Sequence, residues 1–431
     1  MIPRLDLSSL DALPLDPSTK GLPFGAVPPT VGAVADEGWR ILEEDLPLPL
    51  AVIREDILAA NSRWMAAFTA ANDLVIAPHG KTTMAPALFD LQIADGAWGI
   101  TVATVQQLEV CRRFGVKRVL LANQPTGPRA IEACFAALAA DASFELYCLA
   151  DGADGLARLA EAAQRMPTGG NPLRILVEVG FTGGRTGART EAGALALART
   201  VAATDGLALA GFECFEGLLP TPDEAAELVA AVTRSAEAAT RENLFPADVP
   251  VIVSAGGSAF FDRVGERFAA LSLDRPLLKV IRSGCYLTHD AIGYAAAFER
   301  IRRETSLTLP DGGLEPALEV WAYVQSCPEA QRTMLTMGKR DVGFDAGFPV
   351  PTRWFRPGPG MTAPEPMPAG HEVVALNDQH CHLVSEAPTH LQVGDMVAFG
   401  IGHPCTTFDK WALLLLVDET YRVTGALRTF F

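Results

Sequence analysis

The chain has 431 residues, 49% hydrophobic and 20% charged, with a formal net charge of −16. That length carries a sizeable core and more than one folding unit. No Lys/Arg cluster interrupts the acidic balance, which argues against a phosphate-backbone partner and is what solubility asks for.

The opening "MIPRLDLSSLDALPLD" has no basic flank followed by an apolar core, so it does not read as a secretory signal. Residues 1–45 form a Pro-rich, irregular N-terminal segment. Whether it docks on the β domain or on the barrel described next is open from sequence.

From residue 46 to 305 the texture is that of a barrel. Short apolar runs alternate with Ala-rich amphipathic stretches such as "TVQQLEVCRRFG" and "EAGALALARTVAATDG". The runs are "LVIA" (74–77), "WGITVA" (98–103), "KRVLLA" (117–122), "FELYCLA" (144–150), "LRILVEV" (173–179), "LALAGFEC" (207–214), "PVIVSA" (250–255) and "LLKVIR" (277–282). Eight such units favour a closed (β/α)8, TIM-like barrel, with an open doubly wound sheet as the alternative.

Residues 306–431 lose the helical period. "ALEVWAYVQS", "EVVALND", "HCHLVSE", "DMVAFGIG" and "RVTGALRTF" alternate as antiparallel strands do, and Pro and Gly crowd the long loops between them, above all "GFPVPTRWFRPGPG" and "APEPMPAG". The apolar "WALLLLV" (411–417) is far shorter than the roughly 20 residues of a membrane helix. Eight cysteines without C-x-x-C spacing read as reduced thiols of a cytoplasmic protein.

A barrel of this kind places its active site at the carboxyl ends of the strands. The first run delivers His79, Gly80 and Lys81, and the third Asn123 and Gln124. The fifth delivers Arg185 in "GFTGGRTG", and the sixth Phe215, Glu216 and Gly217. The seventh, "SAGGSAF", carries Ser254, Gly256, Gly257 and Ser258. The eighth, "RSGCY", carries Ser283, Gly284, Cys285 and Tyr286. Glycines let backbone N–H groups approach an anion, and the loops after strands seven and eight are where such barrels hold phosphate. A lysine at the end of a buried strand is either paired or functional. Facing a phosphate cup, Lys81 has what a pyridoxal phosphate Schiff base requires. A snorkelling surface lysine is the plain alternative.

The stretch "PHGKTTMAPALFDLQIADGAWGITVATVQQLEV" followed by "VLLANQ" resembles the D-serine dehydratase and D-threonine aldolase group of alanine racemase-like, fold type III pyridoxal phosphate enzymes. The group's pattern is H-x-K-T-H-K, a G-x-T-V-A segment, then A-N-Q; here Thr83 stands where the second His is usual. The resemblance runs from about residue 20 to the end. It implies Lys81 as the cofactor lysine and catalytic base, with His79 and Gln124 beside it. It implies Arg185 as the arginine at the cofactor's phenolic oxygen, and a homodimer. Its second anchor is "GIGHPCTTFDKW", where the group's H-x-C pair falls on His403 and Cys405 and implies Zn2+, or another divalent cation. On an extended segment those two residues share a face, and imidazole with thiolate suits zinc. The group also has a His near His380, which is taken as catalytic. His382 reads as a supporting or core residue, and His289, His371 and His390 as structural.

The implied reaction is β-elimination from a D-configured β-hydroxy amino acid to a 2-oxo acid and ammonia, with the metal drawing on the hydroxyl. The rival is aldol cleavage to glycine and an aldehyde. Cys405 and the absence of a His in "FEGLL", where Leu218 stands, favour elimination. Glu216 reads as a base or a water holder. A racemase needs a second base, and the β domain offers only Tyr323 and Tyr421. A cofactor carrier without catalysis lacks the second domain and the metal pair.

Overall fold

The structure is a computed structural model that describes every residue except 1, 2, 26 and 248. The chain first lays down β1 (Leu50–Arg54) and a 17-residue helix, Glu55–Ala71, then enters the barrel. Its strands are β2 (Val75–Ile76), β3 (Ile100–Val102), β4 (Arg118–Leu121), β5 (Glu145–Ala150), β6 (Leu173–Glu178), β7 (Leu207–Cys214), β8 (Val251–Ala255) and β9 (Leu277–Ile281). All eight expected runs form strands. They pair in the order β2-β9-β8-β7-β6-β5-β4-β3, all parallel.

The two ends of that sheet meet. His79 bridges Thr101, Trp98 N donates to Ile76 O at 2.8 Å, and Thr101 N donates to Pro78 O at 2.9 Å. The barrel is therefore closed, and the open-sheet alternative falls. Parallel strands covered on both faces need apolar side chains on both. Val119 and Leu121 join the large outer core under the helices, while Leu120 between them joins Tyr147, Leu149, Leu176 and Ile252 in the barrel interior. Helices restart cleanly because Thr104, Thr190 and Thr221 accept hydrogen bonds from the first-turn amides of the helices they precede. Pro86, Pro128 and Pro222 occupy first-turn positions where a missing N–H costs nothing.

The β domain holds β10 (Leu318–Glu329), β11 (Arg332–Leu335), β12 (Val350–Phe355), β13 (Glu365–Pro366), β14 (His371–Leu376), β15 (Cys381–Ser385), β16 (Met396–Gly400), β17 (Leu413–Val417) and β18 (Val423–Arg428). Its main path runs β13-β12-β16-β10-β1-β17-β18. Two expectations change here. Leu50–Arg54, expected to open the barrel unit, lies in this sheet, antiparallel to β10 and parallel to β17. The stretch "GFPVPTRWFRPGPG", expected as loop, contains β12; Pro351 sits at a register irregularity of its pairing with β16, a place where a missing N–H is tolerated.

The N-terminal segment packs on the β domain through Leu22, Val31, Val34 and Ile41, which share a core with Trp321, Leu413 and Val423. Its beginning also reaches the barrel: Arg4 pairs with Asp90, and Leu5 N donates to the same carboxylate at 2.8 Å.

Candidate active site

Where the carboxyl ends of the strands face the β domain there is a cleft of about 410 Å3. Its lining joins His79, Lys81 and Arg185 of the barrel to His403 and Cys405 of the β domain. One chain thus brings its own lysine and its own H-x-C pair into one cavity.

Lys81 sits on a single 3-10 turn, Gly80–Thr82, that follows the bridge at His79. Among the described residues its ammonium has no ion-pair partner, and burial holds it below the ordinary lysine value, with the Cys405 sulfur opposing. His79 is half-buried in the cleft wall. Burial first, and Lys81 second, keep its imidazole neutral far below the usual histidine range, and its Nδ1 has no hydrogen-bond partner among the described residues. Gly284 makes this corner possible: a Cβ there would stand 2.5 Å from His79 O.

The cleft's floor is polar. Arg282, 4% exposed, donates to Ser254 Oγ at 2.7 Å and Cys214 O at 3.0 Å, and stands against the buried Glu213 carboxylate at 2.5 Å. Burial pushes that carboxyl up and Arg282 pulls it back. On the wall, Glu178 accepts from Gln124 Nε2 at 2.5 Å and from Thr186 Oγ1 at 2.7 Å. The Arg185 guanidinium lies over the Phe215 ring, 4.5 Å from its centroid.

The expected phosphate cup differs in detail. Gly256 N and Gly257 N donate to the Glu216 carboxylate at 2.9 and 2.5 Å, so they are not free for an anion. Glu216, wholly buried on those two amides, is neither an exposed base nor a water holder. Ser283 Oγ donates to Gly257 O at 2.5 Å, and the Tyr286 hydroxyl accepts from Gln92 at 3.2 Å, outside the cleft. Ser254 serves Arg282. Ser258, Ala259 and Gly284 line the cleft, and their backbone N–H groups find no hydrogen-bond partner among the described residues. Gln124 reaches the cleft only through Glu178, and Thr83 is buried outside it.

His403 and Cys405 do not lie on an extended segment. Pro404 begins a short helix, Pro404–Phe408, with His403 in the N-cap place. The two side chains line the same cleft nonetheless, and the Cys405 sulfur first of all, with Asp345 helping, raises His403 to about 9. His403 Nδ1 stands 2.6 Å from Asp345 Oδ2, and Thr406 Oγ1 donates to Asp345 Oδ1 at 2.8 Å. Asp345 thereby takes Nδ1 and turns Nε2 inward, as carboxylates do behind metal-bound histidines. Cys405 is held toward the thiolate by the Cys285 thiol first, then by His403 and Thr82.

His380 does not reach the cleft. It is exposed on the turn before β15, where its carbonyl accepts from Asn377 N at 2.9 Å. His382 is tied to Asn377 at 2.7 Å. Tyr323 bonds Glu44 and Tyr421 packs on Trp321, both away from the cleft. Arg282, Glu213, Glu178 and Tyr294 are among the lining residues not singled out from sequence for chemistry. Arg282 adjoins "SGCY", and an arginine closing a buried strand is a readable signal; the others carry none. Asp345, behind the lining, lies 58 residues before its partner and had none either.

Residues 53–287 match the family model for the alanine racemase N-terminal domain, and residues 317–417 match a putative serine dehydratase domain. The first match spans more than half of the chain, and the chain belongs to the alanine racemase-like family. Within it the chain falls in the D-serine dehydratase and D-threonine aldolase group, whose second domain it carries. It is 25% identical over 315 residues to a 3-hydroxy-D-aspartate aldolase of Paracoccus denitrificans, covering 71% of this chain and 76% of that one. It is 28% identical over 330 residues to a D-threonine aldolase of Arthrobacter sp, covering 74% and 76%. The fold is that of the solved D-threonine aldolase from Filomicrobium marinum, with a TM-score of 0.73, 24% identity and 91% and 97% coverage. It is likewise that of the D-threo-3-hydroxyaspartate dehydratase from Delftia sp. HT23, with a TM-score of 0.66, 20% identity and 91% and 99% coverage.

Proposed function

We propose that the chain is a pyridoxal phosphate- and divalent-metal-dependent lyase that eliminates water from a D-configured β-hydroxy amino acid, giving a 2-oxo acid and ammonia. One observation carries this reading: an unpaired, half-buried lysine shares a cleft with an imidazole–thiolate pair.

The residues fit both groups. Lys81 has no competing partner, His79 Nδ1 is an orphan, and the free amides at Ser258, Ala259 and Gly284 suit a phosphate. Imidazole and thiolate are borderline-soft donors, which suits zinc better than magnesium. When bound, the cofactor supplies an electron sink at Cα and the metal a Lewis acid.

The protein's own part follows from its charges. Burial lowers the Lys81 proton affinity, which suits its amine to the role of the base at Cα. Arg185, stacked on Phe215, offers a fixed cation that does not titrate. Arg282 sets a second cation at the floor, with Glu213 and Ser254 fixing its plane. His403 and Cys405 would hold the metal, and Asp345 fixes the His403 ring. With lysine and metal pair in fixed places, only one configuration at Cα presents its proton and its hydroxyl to the right groups. A homodimer in the cytoplasm stays part of the proposal. No helix among the described residues is long and apolar enough to cross a membrane.

Aldol cleavage is the second reading, favoured by the names of the two sequence relatives. Neutral His79 would then be the basic imidazole available. Elimination is preferred because the second ligand is Cys405 and because Leu218, 55% exposed, leaves the end of β7 without a base. Incubation with D-serine, D-threonine, D-phenylserine and D-3-hydroxyaspartate, with product identification, decides. A 2-oxo acid with ammonia supports elimination; glycine with an aldehyde overturns it; no turnover of any of them removes the lyase reading.

A further inference from the structure

We propose that Cys285 is a third protein ligand of the metal, so that two sulfurs and one imidazole hold the ion. The proposal rests on the reading of His403 and Cys405 as ligands and adds a donor from the barrel to a site otherwise built by the β domain.

Cys285 Sγ lies 3.7 Å from Cys405 Sγ. Two thiolates on one tetrahedral zinc, each at about 2.3 Å, stand roughly 3.8 Å apart. A disulfide brings its sulfurs to about 2.05 Å. The pair is thus set at the edge length of a shared tetrahedron. Ordinary contact between thiols has a similar length, so the spacing needs support from the surroundings.

That support comes from three sides. Both sulfurs line the cleft that holds Lys81 and His403, so an ion between them faces the substrate. Thr82 Oγ1 lies 3.4 Å from Cys405 Sγ and 3.8 Å from Cys285 Sγ, and so steadies both at once. Cys285 is the first residue of a 3-10 turn just after Gly284, and Gly284 is packed against His79 O. The backbone that carries this sulfur is therefore locked to the backbone that carries Lys81. Buried cysteines elsewhere in the chain, such as Cys111 and Cys381, sit among apolar side chains instead.

In the metal-free protein the two sulfurs lie in hydrogen-bond contact, a proton between them. An ion entering between them takes the place of that proton. Two thiolates and Zn2+ then sum to zero charge, and a Cys2His set leaves one tetrahedral position open for water or a substrate hydroxyl. Among the described residues no three such donors yet converge on a point. His403 is the member that must close in: its side chain is 33% exposed on the rim, held by Asp345 at 53% exposure.

The test counts sulfurs. X-ray absorption fine structure at the zinc edge of the reduced wild-type protein, loaded with one equivalent of zinc, is expected to show two sulfur neighbours. One sulfur overturns the proposal, and no variant need fold for this result. In the cobalt-loaded protein, Cys285→Ser is expected to lose about half of the near-ultraviolet sulfur-to-cobalt band, since that band scales with the number of bound thiolates. A band unchanged in Cys285→Ser but lost in Cys405→Ser also overturns it, while leaving the two-ligand site standing. No sulfur-to-cobalt band in the wild type removes the metal reading itself, and this proposal with it.

Discussion

Asp345 offers a sharp test of how the cleft holds a metal. Replacing it by Ala removes the carboxylate 2.6 Å from His403 Nδ1 and leaves that ring nitrogen without its partner. A charge-assisted hydrogen bond is worth about 1.5–3 kcal/mol when shielded from water. Asp345 is 53% exposed and His403 33%, so solvent screening takes the value to the lower end, about 1.4 kcal/mol. That corresponds to roughly tenfold weaker zinc binding, in line with losses seen when such outer partners are removed. The assay is competition with a chromophoric chelator, run beside His403→Ala. Asp345→Asn keeps an acceptor oxygen and is expected to fall between wild type and Asp345→Ala. If Asp345→Ala binds zinc as tightly as wild type while His403→Ala does not, the carboxylate does not orient the ring.

Three further outcomes are expected. Lys81→Ala abolishes the visible absorbance of the cofactor-loaded protein and the labelling of its peptide after borohydride; a label on another lysine refutes the assignment. Gly284→Ala forces a Cβ to within 2.5 Å of a backbone oxygen, and overpacking of that kind costs about 1–3 kcal/mol; thermal unfolding and cofactor titration should both suffer, and an unshifted midpoint counts against the packing described. Burial lowers the His289 imidazole to about 4 in the fold, against about 6.5 unfolded, so the unfolded chain binds the proton first as pH falls. Its contribution is whole above pH 6.5 or so and is lost toward pH 4, about 3 kcal/mol over that window. His289→Asn tolerates the left-handed φ of 50° and should flatten that part of the urea-midpoint profile; an unchanged profile refutes the assignment.

How much of this was legible in the sequence varied with how local each signal is. The eight barrel strands were legible because a strand covered on both faces must be apolar at successive positions, as β7, buried throughout, is at every position but Glu213. Lys81 was legible because a charge at the end of such a run needs a reason. The turn to helix at Pro404 was a local signal too, since proline favours a first helical position, but the H-x-C spacing was read on a strand instead. Non-local facts stayed hidden. "LAVIR" is apolar enough for either sheet, and only its partners, hundreds of residues on, decide for the β domain. Glu216 takes the Gly256 and Gly257 amides from 40 and 41 residues away, and no pattern in "AGGS" forecasts that. His380 stood in a promising context, yet the turn before β15 points it to solvent.

The place of β1 shapes how the molecule is made. Leu50–Arg54 leaves the ribosome some 260 residues ahead of β10 and even further ahead of β17, the two strands that flank it. The nascent barrel is made with this ribbon still unclaimed, and Cys405 emerges some 320 residues after Lys81. A polypeptide that stops short of the β domain keeps its lysine and its glycine turns but lacks the far wall of the cleft.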